Sequence, residues 1–522
     1  MSPRPRTIAR CALLVLFALA VIGTAWVCDD AYITFRVVDN FGEGYGLRWN
    51  VDERVQVYTH PLWMFLLSAV ASYSGEEFYT SLALSMIFSI TAVALLLFGV
   101  ARDTPAALVA GTALVLSKAF VDFSTSGLEN PLTHLLLAAA ALLAARAEPR
   151  LPALLPLALI ASSAALNRPD TLLLYLPLVA LVWWREPRLA GLGWLALGFL
   201  PLLAWEAFAL LYYGFPFPNT AYAKLQTGVG RGELVLAGLR YLASSLSLDP
   251  LPLVCLVGAA AVALARRHAA SLALVAGLAS YVAYTVWIGG DFMSGRFLSP
   301  VVFGAALVIA RADPERLGSR AWAVGTAALL LTGVAAQAAR FGTQDARAVV
   351  DDAGVADERR VYAGDLGLLS SLRRDGPPTH PWVQAGLELR SREEPMLQIA
   401  GGVGLLGYYA GPAVHVLDVH GLGDPFLARL PSEPGWRVGH FVREPRVDYV
   451  ESLRVGENRI VDPEVALYCD KLFRITRGDL LDRERLATIV AFNLGRYDHL
   501  LEGYLSRKAA ARASGGAADR PR

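Results

Sequence analysis

The sequence predicts a polytopic α-helical membrane protein that carries a soluble mixed α/β domain at its C-terminal end. Three observations lead there. Of 522 residues, 55% are hydrophobic and 18% charged, whereas soluble domains carry about 25% charged residues. The mean hydropathy is +0.43. The apolar residues are gathered in runs over the first two-thirds of the chain, and the composition turns soluble near residue 341. A net charge of +1 leaves no basic footprint, so the expected partner is a lipid bilayer and not nucleic acid.

Arg4, Arg6 and Arg10 precede an apolar run from Cys11 to Val27. A secretory signal has the same layout. The run is about long enough to span, however, and Asp29-Asp30 just beyond it would make a poor cleavage site, so a retained first helix is expected. Further apolar segments cover 79–100, 104–120, 131–146, 151–166, 171–184, 189–213, 249–265, 269–288, 298–311 and 321–340. The stretch Pro61 to Tyr73 is ambiguous, and charge decides it. Basic residues favour cytoplasmic loops. With 61–73 lying at the interface, Arg102, Arg146, Arg150, Arg185, Arg188, Arg266, Arg267, Arg311, Arg316 and Arg320 share one side of the membrane.

The expectation is therefore about eleven transmembrane helices in a plasma membrane, N-terminus cytoplasmic and C-terminal domain extracytoplasmic. The bundle would occupy 1–340 and the soluble domain 341–505, with a disordered tail over 506–522 that is rich in Ala, Gly and Arg. Short β-type runs at Arg360–Tyr362 and Val414–Val419, with turns at Gly376-Pro377 and Asp424-Pro425, suggest the mixed character of that domain.

The external segments become 28–78, 121–130, 167–170, 214–248 and 289–297, and they hold most of the unusual polar residues. Acidic groups at the hydrocarbon boundary are costly and are functional candidates by default. The first loop opens with Asp29-Asp30 and continues to Glu53-Arg54-Val55, Thr59 and His60. One such carboxylate can take a proton from a hydroxyl, and another can hold a divalent cation (Mg, Mn or Ca) against a phosphate. Either aspartate can equally cap a helix that begins at Ala31.

The remaining loops place Ser126-Gly127-Leu128-Glu129, Asn167-Arg168-Pro169-Asp170, Lys224 and Gly289-Gly290-Asp291-Phe292-Met293-Ser294-Gly295-Arg296 on the same side. Each alone reads as a capped helix end or a Gly/Pro turn, but their gathering on one face points to a site. Arginine forks and a lysine point charge at Arg168, Lys224 and Arg296 suit phosphate oxygens. Trp49, Tyr58 and Trp63 are expected to stack on sugars or to anchor at the interface. Cys28 and Cys469 share the external compartment, where a disulfide is permitted.

In this order, these motifs resemble the membrane glycosyltransferases of the GT-C type that use polyprenyl-phosphate sugars. They are most similar to the terminal β-(1→2)-arabinofuranosyltransferases of mycobacterial cell-wall arabinan synthesis. In the tail, Gly404-Leu405-Leu406-Gly407, Val416-Leu417-Asp418, Gly421-Leu422, Asp424-Pro425 and Arg437-Val438-Gly439-His440 extend the resemblance. It implies a polyprenyl-phosphate arabinofuranose donor and a glycan acceptor, with transfer on the outer face of the membrane. It also implies catalytic aspartates at Asp29 and Asp30, and a donor site that draws on His60, Glu129, Arg168, Asp170, Lys224, Asp291 and Arg296. The tail looks shorter than in the mycobacterial enzymes, which bears on the acceptor more than on the donor. A rival class is a transporter or flippase of lipid-linked sugars. That class places ionisable residues near the midplane in interrupted helices of two related halves; here no repeat is visible, and Glu206 is the clearest acid within a span.

Overall fold

A computed structural model describes residues 3–146, 153–185, 189–343, 349–392 and 394–515. Arg150, Arg188, the start of the 151–166 segment and residues 516–522 lie outside the described residues.

The chain is mainly helical, as its apolar runs require. Five helices are long and apolar enough to cross a bilayer: Pro5–Thr24, Phe78–Val100, Leu189–Tyr212, Ala269–Trp287 and Ser319–Ala338. A sixth crossing results if Arg231–Leu248 and Leu251–Arg266, bent by 97°, count as one. Leu189–Tyr212 is apolar apart from Glu206 and leaves Leu192, Leu197, Leu200 and Leu203 exposed, the surface of a helix solvated by lipid and not by water. The other apolar segments form shorter helices, among them Pro61–Ser74, Thr104–Leu116, Leu154–Asn167 and Ser299–Ile309. Ser299–Ile309 is buried along its whole length and packs against Thr104–Leu116, Asn130–Arg146, Leu251–Arg266 and Ala269–Trp287.

The sharp bend has a local cause. Asp249 is buried there and accepts hydrogen bonds from Ser117 Oγ at 2.7 Å and from the Ala119 amide at 2.8 Å. Pro250 follows, and a proline cannot supply the amide that would continue the helix.

In the tail, β1 (Met396–Ala400) pairs in parallel with β2 (Val414–Asp418), Met396 opposite Val414. The helix Gly404–Ala410 makes the crossover. Nearly everything else in the described tail is helix or loop. Arg360–Tyr362, expected as strand, lies within the helix Glu358–Leu366, because so short a run carries no periodicity to separate the two states. The last helix, Asp498–Gly515, runs through the first part of the tail expected to be disordered.

The first external loop packs on the tail. Arg36 is buried and donates to the carbonyls of Trp49 (2.9 Å), Gly407 (2.6 Å) and Val414 (2.7 Å). Asn50 pairs with the backbone of Val416, accepting its amide at 2.9 Å. Three expectations fail on this packing. Trp49 is buried against Gly407 and Gly423. Tyr58 is buried with its hydroxyl 2.8 Å from that of Tyr213, and Trp63 is buried with Nε1 on the Gly127 carbonyl at 3.1 Å. All three are core side chains with internal partners, not sugar platforms or interfacial anchors. Cys28 and Cys469 are both free and buried, and they belong to different hydrophobic clusters, so no disulfide staples the loop to the tail.

Candidate active site

Four interhelical segments converge around Glu129. The chain enters its position through Ser126, which has a left-handed φ of 39°, and the carboxylate ends fully buried. Arg168 Nη1 lies 3.0 Å from it, Arg296 Nη2 3.3 Å and His60 Nδ1 3.4 Å. Burial alone would raise the Glu129 pKa, but the charges of Arg296 and Arg168 outweigh it and hold the group well below the usual carboxylate range. Burial also pushes His60 down to about 4, so its ring is neutral at physiological pH. Arg168 is further held by Asp170 at 2.8 Å and lies over the Phe297 ring at 4.0 Å.

The turn that delivers Arg296 needs its glycines. Gly290 has φ +80°, and a Cβ there would lie 2.5 Å from Tyr241, so only glycine lets the turn press onto the helix Arg231–Leu248. Asp291 is buried beside it; one carboxylate oxygen accepts the Phe292 amide and the other has no partner among the described residues.

The adjacent aspartates divide. Asp29 is buried, and its two oxygens accept the amides of Gly404 (3.2 Å) and Leu405 (2.7 Å) at the start of the crossover helix. Burial pushes its pKa up to about 7. Asp30 keeps 30% of its side chain exposed and sits 3.8 Å from Arg296 Nη1. Its pKa is raised by burial, with Arg296 and then Lys224 opposing the rise. Both aspartates also begin a helix, Asp29–Gly42, but neither makes a side-chain cap to it: the N-cap position is Cys28.

Lys224 lies on the short helix Asn219–Leu225. Asn219 fastens that helix to the tail through the carbonyls of Gly421, Leu422 and Asp424, at 2.8–3.1 Å. Arg443 adds a second tie, donating to the carbonyls of Ala223 and His420. Sequence reasoning gave no role to Arg443, nor to Glu358, His420 or Arg437. Burial and the charges of Asp30, Asp29 and Asp291 push Glu358 up to about 8. The Arg437–His440 segment was visible as a motif, but nothing local told what it faces.

Of the two aspartates expected to hold a divalent cation, Asp29 has both oxygens on backbone amides, and among the described residues no three His, Cys, Asp or Glu side chains gather in one group.

No family model and no solved structure matches the chain. Two curated proteins do. Over 82% of its length the chain is 28% identical to the terminal β-(1→2)-arabinofuranosyltransferase of Mycobacterium tuberculosis, covering 82% of that protein. Over 80% of its length it is 26% identical to the Corynebacterium glutamicum protein of the same name, covering 72% of it. The chain is a homologue of these glycosyltransferases. The resemblance carried by the loop motifs is thereby borne out. The comparison favours an enzyme over a transporter.

Proposed function

We propose that this glycosyltransferase moves a furanosyl residue, arabinofuranose by the relatives' name, from a polyprenyl-phosphate donor to a cell-envelope glycan at the outer face of the plasma membrane. The observation that carries the reading is the division of the aspartate pair. Asp29 is engaged with Gly404 and Leu405, which leaves Asp30 as the partly exposed carboxylate beside Arg296.

Asp30 takes the proton of the attacking acceptor hydroxyl. The freed oxygen bonds to the anomeric carbon, and the bond from that carbon to the phosphate oxygen breaks, its electron pair leaving with the polyprenyl phosphate. Arg296 reaches Asp30 and Glu129 together. Its charge opposes the burial that raises the Asp30 pKa and so favours the ionised form a base needs, and its position is fixed by the buried Glu129. General base action of this kind contributes roughly 100- to 10,000-fold. The long apolar helices support a donor whose lipid chain lies in the bilayer. The arginine-bearing loops, from Arg102 to Arg320, favour the cytoplasmic side by the positive-inside rule. That supports a site on the opposite face, with about eleven crossings once the shorter buried helices are counted as spans.

The test is a transfer assay on the purified full-length chain with a panel of polyprenyl-phosphate sugars and short glycan acceptors. Transfer from polyprenyl-phosphate arabinofuranose is expected. Transfer from nucleotide sugars alone would overturn the donor assignment.

A further inference from the structure

Of the three cations expected at the donor phosphate, two are already neutralised inside the protein. Arg168 is shared between Glu129 and Asp170, and Arg296 between Glu129 and Asp30. Lys224 forms no ion pair among the described residues, and neither does Arg437 of the tail. A phosphate brings negative charge to a site and is best met by cations without a carboxylate of their own.

Arg437 belongs to a basic cluster on the tail, and the helix that carries Lys224 is tied to that cluster. Arg437 and His440 are held by a tight turn in which the His440 amide donates to the Arg437 carbonyl at 2.8 Å. Gly439, with φ +76°, lets the turn sit on Phe292, where a Cβ would lie 2.4 Å from the ring. The His440 ring packs edge-on against Phe292 at 4.4 Å and against His420 at 5.1 Å. Arg437 Nη2 lies 2.9 Å from His440 Nε2. Arg443 joins the backbone next to Lys224 to that of His420, donating to the Ala223 and His420 carbonyls. His420 Nδ1 is buried with no partner among the described residues.

Burial first holds the His420 and His440 imidazoles at about 4 and 3; Arg443, then Arg437 and Lys224, add to it at His420, and Arg437 before Lys224 at His440. At neutral pH the rings are uncharged hydrogen-bonding groups beside two positive ones. Glu358, the carboxylate facing Arg437, is pushed up to about 8 and cancels little of that charge. Lys224 also faces Asp30 and Asp291, so the cluster adjoins the proposed base.

We infer that Arg437, with Lys224 and the imidazoles of His420 and His440, forms the subsite for the phosphate of the lipid donor, supplied mainly by the soluble tail and not by the bundle loops. This rests on the donor reading above and adds a tail residue that binds substrate. Arg168 and Arg296 then serve to position Glu129 and Asp30.

The test compares binding of a long-chain polyprenyl phosphate and of the matching polyprenol to full-length protein in detergent, for wild type, Arg437→Gln, Arg437→Lys and Lys224→Met. A charge-assisted hydrogen bond is worth about 1.5–3 kcal/mol, so wild type should prefer the phosphate by at least roughly tenfold. Arg437→Gln and Lys224→Met should each lower that preference by roughly ten- to a hundredfold, with polyprenol binding unchanged. Arg437→Lys should recover part of it, which a fold defect would not allow. Arg437→Gln with its preference intact would overturn the subsite while leaving the donor reading standing. A wild type that does not distinguish the two lipids would overturn both. Competition by inorganic phosphate as effective as by the lipid phosphate would show a free-anion site and refute the lipid assignment.

Discussion

The backbone carbonyl of Asp29 lies 1.9 Å from where a Cβ on residue 404 would stand. Two segments 375 residues apart thus meet backbone to backbone, and the absence of one side chain allows the Asp29 carboxylate to reach the Gly404 and Leu405 amides. Gly404→Ala should push the tail off the first loop, because the obstacle is main chain and cannot rotate away. We expect a loss of about 3 kcal/mol or more, at or beyond the upper end for overpacking, read as a lowered midpoint of thermal unfolding in detergent. An unchanged midpoint would show that the contact is loose.

Glu129 balances two guanidiniums in a site it shares with no solvent. Glu129→Gln leaves Arg168 with Asp170 and Arg296 with the distant edge of Asp30. Breaking a buried pair by removing one partner costs about 3–5 kcal/mol. The variant should therefore lose both stability and transfer, whereas Arg168→Gln, which leaves Glu129 still paired with Arg296, should cost less. Equal effects in the two variants would refute the asymmetry.

Arg485 is fully buried and donates to the carbonyls of Ile475 (2.8 Å), Leu480 (2.8 Å), Leu211 (2.9 Å) and Tyr212 (2.9 Å). The last two end the helix Leu189–Tyr212, whose final carbonyls have no partner within the helix. Arg485→Lys should destabilise nearly as much as Arg485→Ala, about 3 kcal/mol, since an ammonium cannot reproduce the fork. Full retention of stability in Arg485→Lys would show that the charge alone suffices.

A second polar cluster, outside the active site, joins loop and tail. His415 Nδ1 lies 3.0 Å from Asp52, and Arg477 bridges Asp52 and Glu53 at 3.3 and 3.4 Å. Burial opposes the charge on His415, but hydrogen bonding to Asp52 and the charges of Glu53 and Asp52 raise its pKa. Although burial pulls the other way, His415 and Arg477 lower Asp52 to about 2. A raised histidine stabilises the fold fully below its unfolded pKa near 6.5 and loses that contribution as pH rises through its folded value. A lowered aspartate stabilises above its unfolded pKa near 3.9 and loses that contribution only as pH falls towards 2. The pair is therefore strongest from about pH 4 to 6.5. Burial pushes Glu53 up to about 7, so it takes up its proton as the pH falls into that window. Unfolding midpoints of wild type and His415→Gln should differ most near pH 5–6 and converge in alkali. A difference independent of pH would assign His415 a packing role only.

Much of the site was legible because its residues stand out where they are. Glu129, Arg168, Asp291 and Arg296 interrupt apolar chain at helix ends, and a charge there demands a reason. Glu358, Arg437 and Arg443 sit in a tail of soluble composition, where charged residues are commonplace, so nothing marks them until the fold brings them together. Trp49 and Trp63 were misread for a related reason: an aromatic at a membrane boundary looks the same in sequence whether it meets lipid, sugar or another loop. The pairing of residue 29 with 404, or of Arg36 with Val414, has no local signal at all. Cys28 and Cys469 share a compartment, but each fills a different core.

The central claim is that Asp30, and not its neighbour, performs the chemistry. The measurement is transfer turnover of Asp30→Asn and Asp29→Asn beside their unfolding midpoints, with donor and acceptor saturating. Asp30→Asn should lose roughly 100- to 10,000-fold in turnover at an unchanged midpoint. Asp29→Asn, which replaces one amide-accepting oxygen by a donor, should lose about 1–3 kcal/mol of stability and retain more turnover than Asp30→Asn. Near-wild-type turnover in Asp30→Asn, or the reverse ranking of the two, would contradict the account.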